Sequence, residues 1–182
     1  MNQDKIEANL NFGMSTAKQQ HCIIQPQILP NLLDHSQKRE TTDNHASVVI
    51  GALLGSCDAK GSIIDISNSI QMTLRISYQS EESTKEPQYI FDTEYLKKMV
   101  KFHKQVNEFE SLLGVYISSV KMDKLGMIIV QYFMELFNEK SFFRSPLKSP
   151  IILLFDPTLQ HQRLSIKVSL SHSSLTISLY RC

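Results

Sequence analysis

The side chains able to do chemistry in this 182-residue chain are scattered rather than gathered. Six histidines stand at His21, His35, His45, His103, His161 and His172, and none has the HxH or HxxxH spacing that brings two imidazoles to one metal. Ser171-His172-Ser173 sets hydroxyls beside an imidazole. Neighbours on a strand point to opposite faces, so this triplet does not make a nucleophile with its base. Cys57 follows Gly55 at the end of an apolar run, and without an activating base it reads as an ordinary thiol. The sequence has no G-x-G-x-x-G turn and no Walker phosphate loop. Asp123 lacks acidic or imidazole partners and is better explained as a helix cap. Phe142, Phe143 and Arg144 form an aromatic-basic cluster that either anchors an interface or packs on its own domain. The expectation is no catalytic centre, no bound metal and no cofactor, with any function carried by surfaces.

The elements that position these residues are organised around Ser47-Val-Val-Ile-Gly-Ala-Leu-Leu-Gly-Ser-Cys57. A run of apolar, largely β-branched residues predicts a strand buried on both faces. Gly51 and Gly55 inside it predict a bulge or a close backbone approach. Asp58-Ala-Lys-Gly61 makes the turn to a second strand at 62–70. Before this hairpin lie a short strand at 21–25 and a helix with Pro26 in its first turn and Ile28, Leu29, Leu32 and Leu33 on one face. Lys38 to His45 reads as a loop.

After a polar loop at 79–87, a short strand at 89–91 meets Asp92, the expected cap of a helix with Leu96, Met99, His103 and Val106 in line. Its other side carries Lys97, Lys98, Lys101 and Lys104, either a contact surface or a solvated face. A buried strand at 111–117 is followed by a helix capped by Asp123. Leu125, Ile128, Ile129, Tyr132, Phe133, Leu136 and Phe137 give that helix a stripe wide enough to pack against the sheet and against a partner. A central strand at 150–156 and a hairpin of alternating strands at 164–170 and 175–180 complete the chain. About three helices among seven or so strands make an α/β fold around one curved mixed sheet.

Hydrophobic residues make up 42% and charged residues 20%, a globular composition with room for one core. The net charge of +1 provides no global field for nucleic acid or an acidic membrane. No apolar run approaches the roughly 20 residues that span a bilayer, and the first residues lack the apolar core of a presequence. Cys22, Cys57 and Cys182 are few and far apart, which fits reduced thiols in the cytoplasm. Residues 1–20, largely polar with only scattered apolar residues, are expected to be a flexible tail ahead of one domain at 21–182.

Several motifs in one order carry a resemblance: Gly51-Ala-Leu-Leu-Gly55, Asp92-Thr-Glu-Tyr-Leu-Lys-Lys-Met99, Asn107-Glu-Phe-Glu110 and Leu113-Gly-Val-Tyr-Ile-Ser-Ser119. Together they resemble the MPN (JAB1/MPN) domain over roughly residues 21–172. Ile24-Gln-Pro-Gln-Ile-Leu29, His103-Lys-Gln-Val-Asn107 and Phe155-Asp-Pro-Thr-Leu-Gln-His-Gln-Arg-Leu-Ser-Ile-Lys167 are most similar to the non-catalytic branch formed by the F subunits of eukaryotic translation initiation factor 3. The resemblance implies a three-layer, cytidine-deaminase-like arrangement. Active members of the family hold zinc with two histidines and an aspartate and use a glutamate as general base. Carried over, those positions fall at Val48 for the glutamate, Ile117 and Ser119 for the histidines, and Val130 or its vicinity for the aspartate; Val115 stands where the family has tryptophan. None is a ligand or a base, which implies a non-enzymatic scaffold.

The partners implied are the factor's other MPN member, its H subunit, and its PCI-domain subunits, working on the small ribosomal subunit in the cytoplasm. Ile129, Phe133, Phe142, Phe143 and Arg144 are the candidate interface residues. The alternatives are an inactive MPN subunit of the proteasome lid or signalosome, and a divergent hydrolase. Subunits of this type continue into bundle helices, whereas this sequence ends at Cys182, soon after the last expected strand.

Overall fold

The apolar run at 48–57 becomes the middle of a large sheet. The structure, a computed structural model, describes residues 6–10, 20–40, 48–59, 61–77, 88–119, 121–138, 147, 149–158, 163–170 and 173–180. In chain order these form β1 (Ile6–Leu10), β2 (Gln20–Ile24), α1 (Ile28–Glu40), β3 (Ile50–Cys57), β4 (Ile63–Met72), β5 (Leu74–Ser77), β6 (Gln88–Phe91), α2 (Thr93–Val106), β7 (Ser111–Ser118), α3 (Lys124–Asn138), β8 (Ile151–Phe155), β9 (Arg163–Leu170) and β10 (Ser173–Tyr180). Eight strands make one mixed sheet in the order β1-β2-β4-β3-β7-β8-β9-β10, and β5 pairs with β6 apart from it. The α/β class, the mixed sheet and the three helices match the expectation.

Strand β3 is apolar on both faces because it separates two cores. Val48, Ile50, Ala52 and Leu54 belong to a cluster with Leu96 and Val100 of α2 and Ile129, Phe133 and Leu136 of α3. Val49 and Leu53 belong to the opposite cluster, with Cys22 and Ile24 of β2 and Ile28 and Leu32 of α1. The layers are therefore α1, the sheet, and the pair α2 and α3. The parallel pair β7 and β8 is joined through α3, as a parallel connection requires.

The glycines of β3 sit at close approaches. A Cβ on Gly51 would collide with the Tyr116 ring and the Ile70 carbonyl, and one on Gly55 with the Asp65 carbonyl. The expected irregularity is also present. Leu54 pairs with Asn68 and Gly55 with Ile66, which leaves Ser67 as an extra residue on β4. On the other side Leu53 pairs with Gly114 and Leu54 with Leu112, leaving Leu113 extra on β7. This is why Val115 and Ile117 share the core of Leu112, whereas regular alternation would put them with Leu113.

Four expectations are corrected. Within the supposed tail, Ile6–Leu10 pairs antiparallel with β2 at the sheet's edge. Backbone pairing needs no apolar pattern, so composition does not reveal it. Helix α1 starts at Ile28, so Pro26 precedes it, and Pro30 occupies the first turn, where a missing N–H costs nothing. The same helix runs on through Lys38 to Glu40, where a loop is expected. In α2 the residue buried beside Leu96 is Val100, whereas Val106 is 83% exposed. The hairpin of β9 and β10 forms as expected, with Leu175 opposite Val168 and Ile177 opposite Ile166.

Candidate functional site

The positions singled out for chemistry converge where β3 begins and β7 ends. Val49 N–H donates to Ser118 Oγ at 2.6 Å, and Ser118 N–H donates to the Val49 carbonyl at 2.8 Å. This fastens the two strand ends together. Around it Val48, Val115 and Ile117 are buried with Ile129 and Phe133, and Val130 packs against the same cluster. Ser119 lies just outside. Its N–H donates to the Ile117 carbonyl at 3.0 Å and its hydroxyl to the Lys121 carbonyl at 2.6 Å, so it closes a turn. Asp123 caps α3, with Oδ1 accepting from Gly126 N–H at 2.7 Å, as expected. Methyl and methylene groups fill this corner, and they offer no lone pair to a cation and no base to a water. Among the described residues no three His, Cys, Asp or Glu side chains are grouped so that they could share a metal.

The titratable groups elsewhere are held by the fold. Glu110, in the turn between α2 and β7, accepts from Ser67 Oγ at 2.7 Å and Asn68 Nδ2 at 2.8 Å and meets His103 Nε2 at 2.5 Å. Ser67 and Asn68 are consecutive and on a regular strand would point to opposite faces. The bulge at Ser67 lets both reach one carboxylate. Burial raises the Glu110 pKa, but the hydrogen bonds from Ser67, Asn68 and His103 and the charge of His103 outweigh it and hold the carboxyl below its usual range. The cluster spans residues 67 to 110, so no local spacing announces it.

His35 and Tyr116, 81 residues apart, share a 2.8 Å hydrogen bond in the core behind Gly51. Burial pushes the Cys22 thiol up to about 12, with the Asp65 charge adding to it, and raises the half-buried Cys57 as well. Neither thiol has the depressed pKa of a nucleophile.

The candidate interface residues divide. Ile129 and Phe133 are 0% exposed, held by the domain's own core rather than turned outward. The apolar stripe is wide because α3 covers β3 and β7 while also meeting α2 and β6: Tyr132 stacks on Phe91 at 4.1 Å and shares a 2.6 Å hydrogen bond with Thr93. Phe142, Phe143 and Arg144 lie outside the described residues, as do His45, His161, His172 and Cys182.

Sequence reasoning missed the apolar surface that is exposed. Tyr95, Phe102 and Val106 follow one another at helical spacing along α2, and Phe109 stands just past its end, 89% exposed. Lys98 Nζ lies 5.8 Å from the Phe102 ring centre, and Lys101 is exposed beside them. The 95-102-106 spacing was legible, but the line through Leu96 and His103 drew Val106 to the wrong face. On α3 a smaller apolar depression is lined by Met122, Met127, Val130, Gln131 and Met134.

Residues 17–139 match the family described as JAB1/Mov34/MPN/PAD-1 ubiquitin protease. Curated relatives named as the F subunit of eukaryotic translation initiation factor 3 include one from Neurospora crassa, 31% identical over 124 residues, which are 68% of this chain and 31% of that protein. The Chaetomium globosum relative is 30% identical over 110 residues, 60% of this chain and 29% of its own. That of Coccidioides immitis is 29% identical over 126 residues, covering 69% and 33%. The chain therefore spans about a third of the length of these relatives.

Proposed function

The chain belongs to the JAB1/Mov34/MPN/PAD-1 family, and on that premise we propose that it is a non-catalytic MPN subunit of a eukaryotic translation initiation factor 3 assembly. In this reading it holds partners by its surfaces while the pre-initiation complex forms on the small ribosomal subunit in the cytoplasm. The observation that carries the reading is the packing of Val48, Ile117 and Val130 against one apolar cluster. By the family resemblance these are positions where an active member needs a glutamate, a histidine and an aspartate. A water-activating zinc cannot be held by side chains without lone pairs. What remains of the site is a packed corner and a serine used in a turn.

The partners in this reading are the factor's second MPN member, its H subunit, and its PCI-domain subunits. We place the pairing surface on α2, because Tyr95, Phe102, Val106 and Phe109 expose apolar area with lysines at its border. Interfaces concentrate their energy in such aromatic anchors ringed by polar residues. Phe142, Phe143 and Arg144 stand as a second anchor on their composition alone.

The experiment is a pull-down of the tagged chain from its native cytosol with mass spectrometry of what accompanies it, joined to a zinc determination and a ubiquitin-chain cleavage assay on the purified chain. Initiation factor 3 subunits with small-subunit ribosomal proteins, no stoichiometric zinc and no cleavage are expected. Proteasome lid or signalosome subunits would move the same scaffold to another complex. Bound zinc with cleavage would replace the proposal by a hydrolase.

A further inference from the structure

The eight-stranded sheet ends in two edges of different chemistry. At one end β1 carries Glu7 and Asn9 among its five residues, and charge on an edge discourages pairing. At the other end β10 runs Ser173-Ser-Leu-Thr-Ile-Ser-Leu-Tyr180, eight residues without a charge, a proline or a glycine. Its register with β9 is continuous from Ser173 opposite Leu170 to Tyr180 opposite Arg163, so no bulge twists this edge away. Among the described residues no strand pairs with the far side of β10. A row of backbone donors and acceptors along such a strand is a template for another strand.

The order of residues says which strand fits. The core of β10, Leu175-Thr-Ile-Ser-Leu179, reads almost the same in both directions about Ile177. We propose that β10 pairs antiparallel with β10 of a second copy of this chain, about a two-fold axis at Ile177, so that two sheets become one. In that register Leu175 meets Leu179 of the other copy, Ile177 meets its equivalent, and Thr176 meets Ser178. Apolar positions pair with apolar positions and hydroxyls with hydroxyls, combinations that stabilise cross-strand pairs. A two-fold axis at Thr176 sets Leu179 against Ser173 and keeps two of the three apolar pairings. An axis between residues opposes apolar to polar positions throughout. The partners of Leu175, Ile177 and Leu179 in β9 are Val168, Ile166 and Leu164, and Val168 is fully buried. A two-fold contact of this kind is closed and uses the same patch twice. Nothing in this pairing depends on the α2 surface.

The test uses the 182-residue chain and its mass in solution by light scattering across about 1–100 μM. The expected result is twice the 20.8 kDa of one chain at the upper concentrations. Thr176→Lys with Ser178→Lys puts like charges opposite each other across the axis, and Thr176→Glu with Ser178→Glu does the same with the other sign. Each double variant alone is expected to be monomeric, and an equimolar mixture of the two to recover the doubled mass. A wild-type chain monomeric at 100 μM, a lysine variant that remains dimeric, a mixture that stays monomeric, or open-ended assemblies in place of dimers would each overturn the proposal. Hydrogen exchange on the wild type keeps it open to refutation if the variants fail to fold. Amides of residues 174–180 are expected to exchange at least ten-fold more slowly at 100 μM than at 1 μM, and equal rates would overturn it.

Discussion

Phe133 and Phe109 are the same side chain in opposite situations, and substituting each by alanine separates the core of this domain from its surface. Phe133 is 0% exposed between α3 and the sheet, beside Ile129 and Leu136. Phe133→Ala removes a buried ring and leaves a cavity, which costs about 3–5 kcal/mol. Against a total stability of about 5–15 kcal/mol that is a large share. For a chain of this length each kcal/mol moves Tm by about 2–4 °C, so a fall of roughly 6–20 °C is expected. Phe109 is 89% exposed and contributes almost nothing to folding, so Phe109→Ala should change stability by less than about 0.5 kcal/mol. If α2 and the turn after it form the pairing surface, the same change removes an anchor worth about 2 kcal/mol, roughly a 30-fold loss of affinity. Urea unfolding of both variants, with co-purification or titration of the MPN partner, reads the two effects separately. Unchanged pairing in Phe109→Ala and in Phe102→Ala would refute the placement of the interface on α2. A Phe133→Ala variant as stable as the wild type would refute the description of the core.

Four further outcomes are expected. Glu110→Ala should cost about 2–3 kcal/mol, because it strands Ser67, Asn68 and His103 around a half-buried gap; the urea midpoint measures it. The folded pKa of Glu110 lies below its unfolded value, so its contribution is complete above pH of about 4.3 and is lost as pH falls through the folded value; Glu110→Gln should flatten the acid limb of a stability–pH curve. Gly51→Ala should destabilise by at least about 1–3 kcal/mol in thermal unfolding, since the new methyl meets the Tyr116 ring and a backbone carbonyl. Cys22, with its thiol near 12, should resist iodoacetamide at pH 8 in the folded chain and react in urea, as peptide mapping would read.

Sequence alone determined the elements whose cause is local. The apolar run into Gly51 predicts β3 because only a strand between two cores is apolar on both faces. Asp92 and Asp123 predict the starts of α2 and α3 because a carboxylate before an apolar periodicity satisfies the first free N–H groups. The absence of an HxH or HxxxH spacing among the six histidines is also read directly from the letters. Tertiary structure decided everything that joins distant residues. It put β1 on the sheet, since an edge strand needs only backbone pairing. It brought Ser67, Asn68, His103 and Glu110 together, through a bulge that no one-dimensional pattern encodes. It also chose which apolar residues face outward. An apolar stripe on a helix shows that something must be covered, but what covers it depends on where the sheet lies, and the sheet covers Ile129 and Phe133 while leaving Phe102 and Phe109 to solvent.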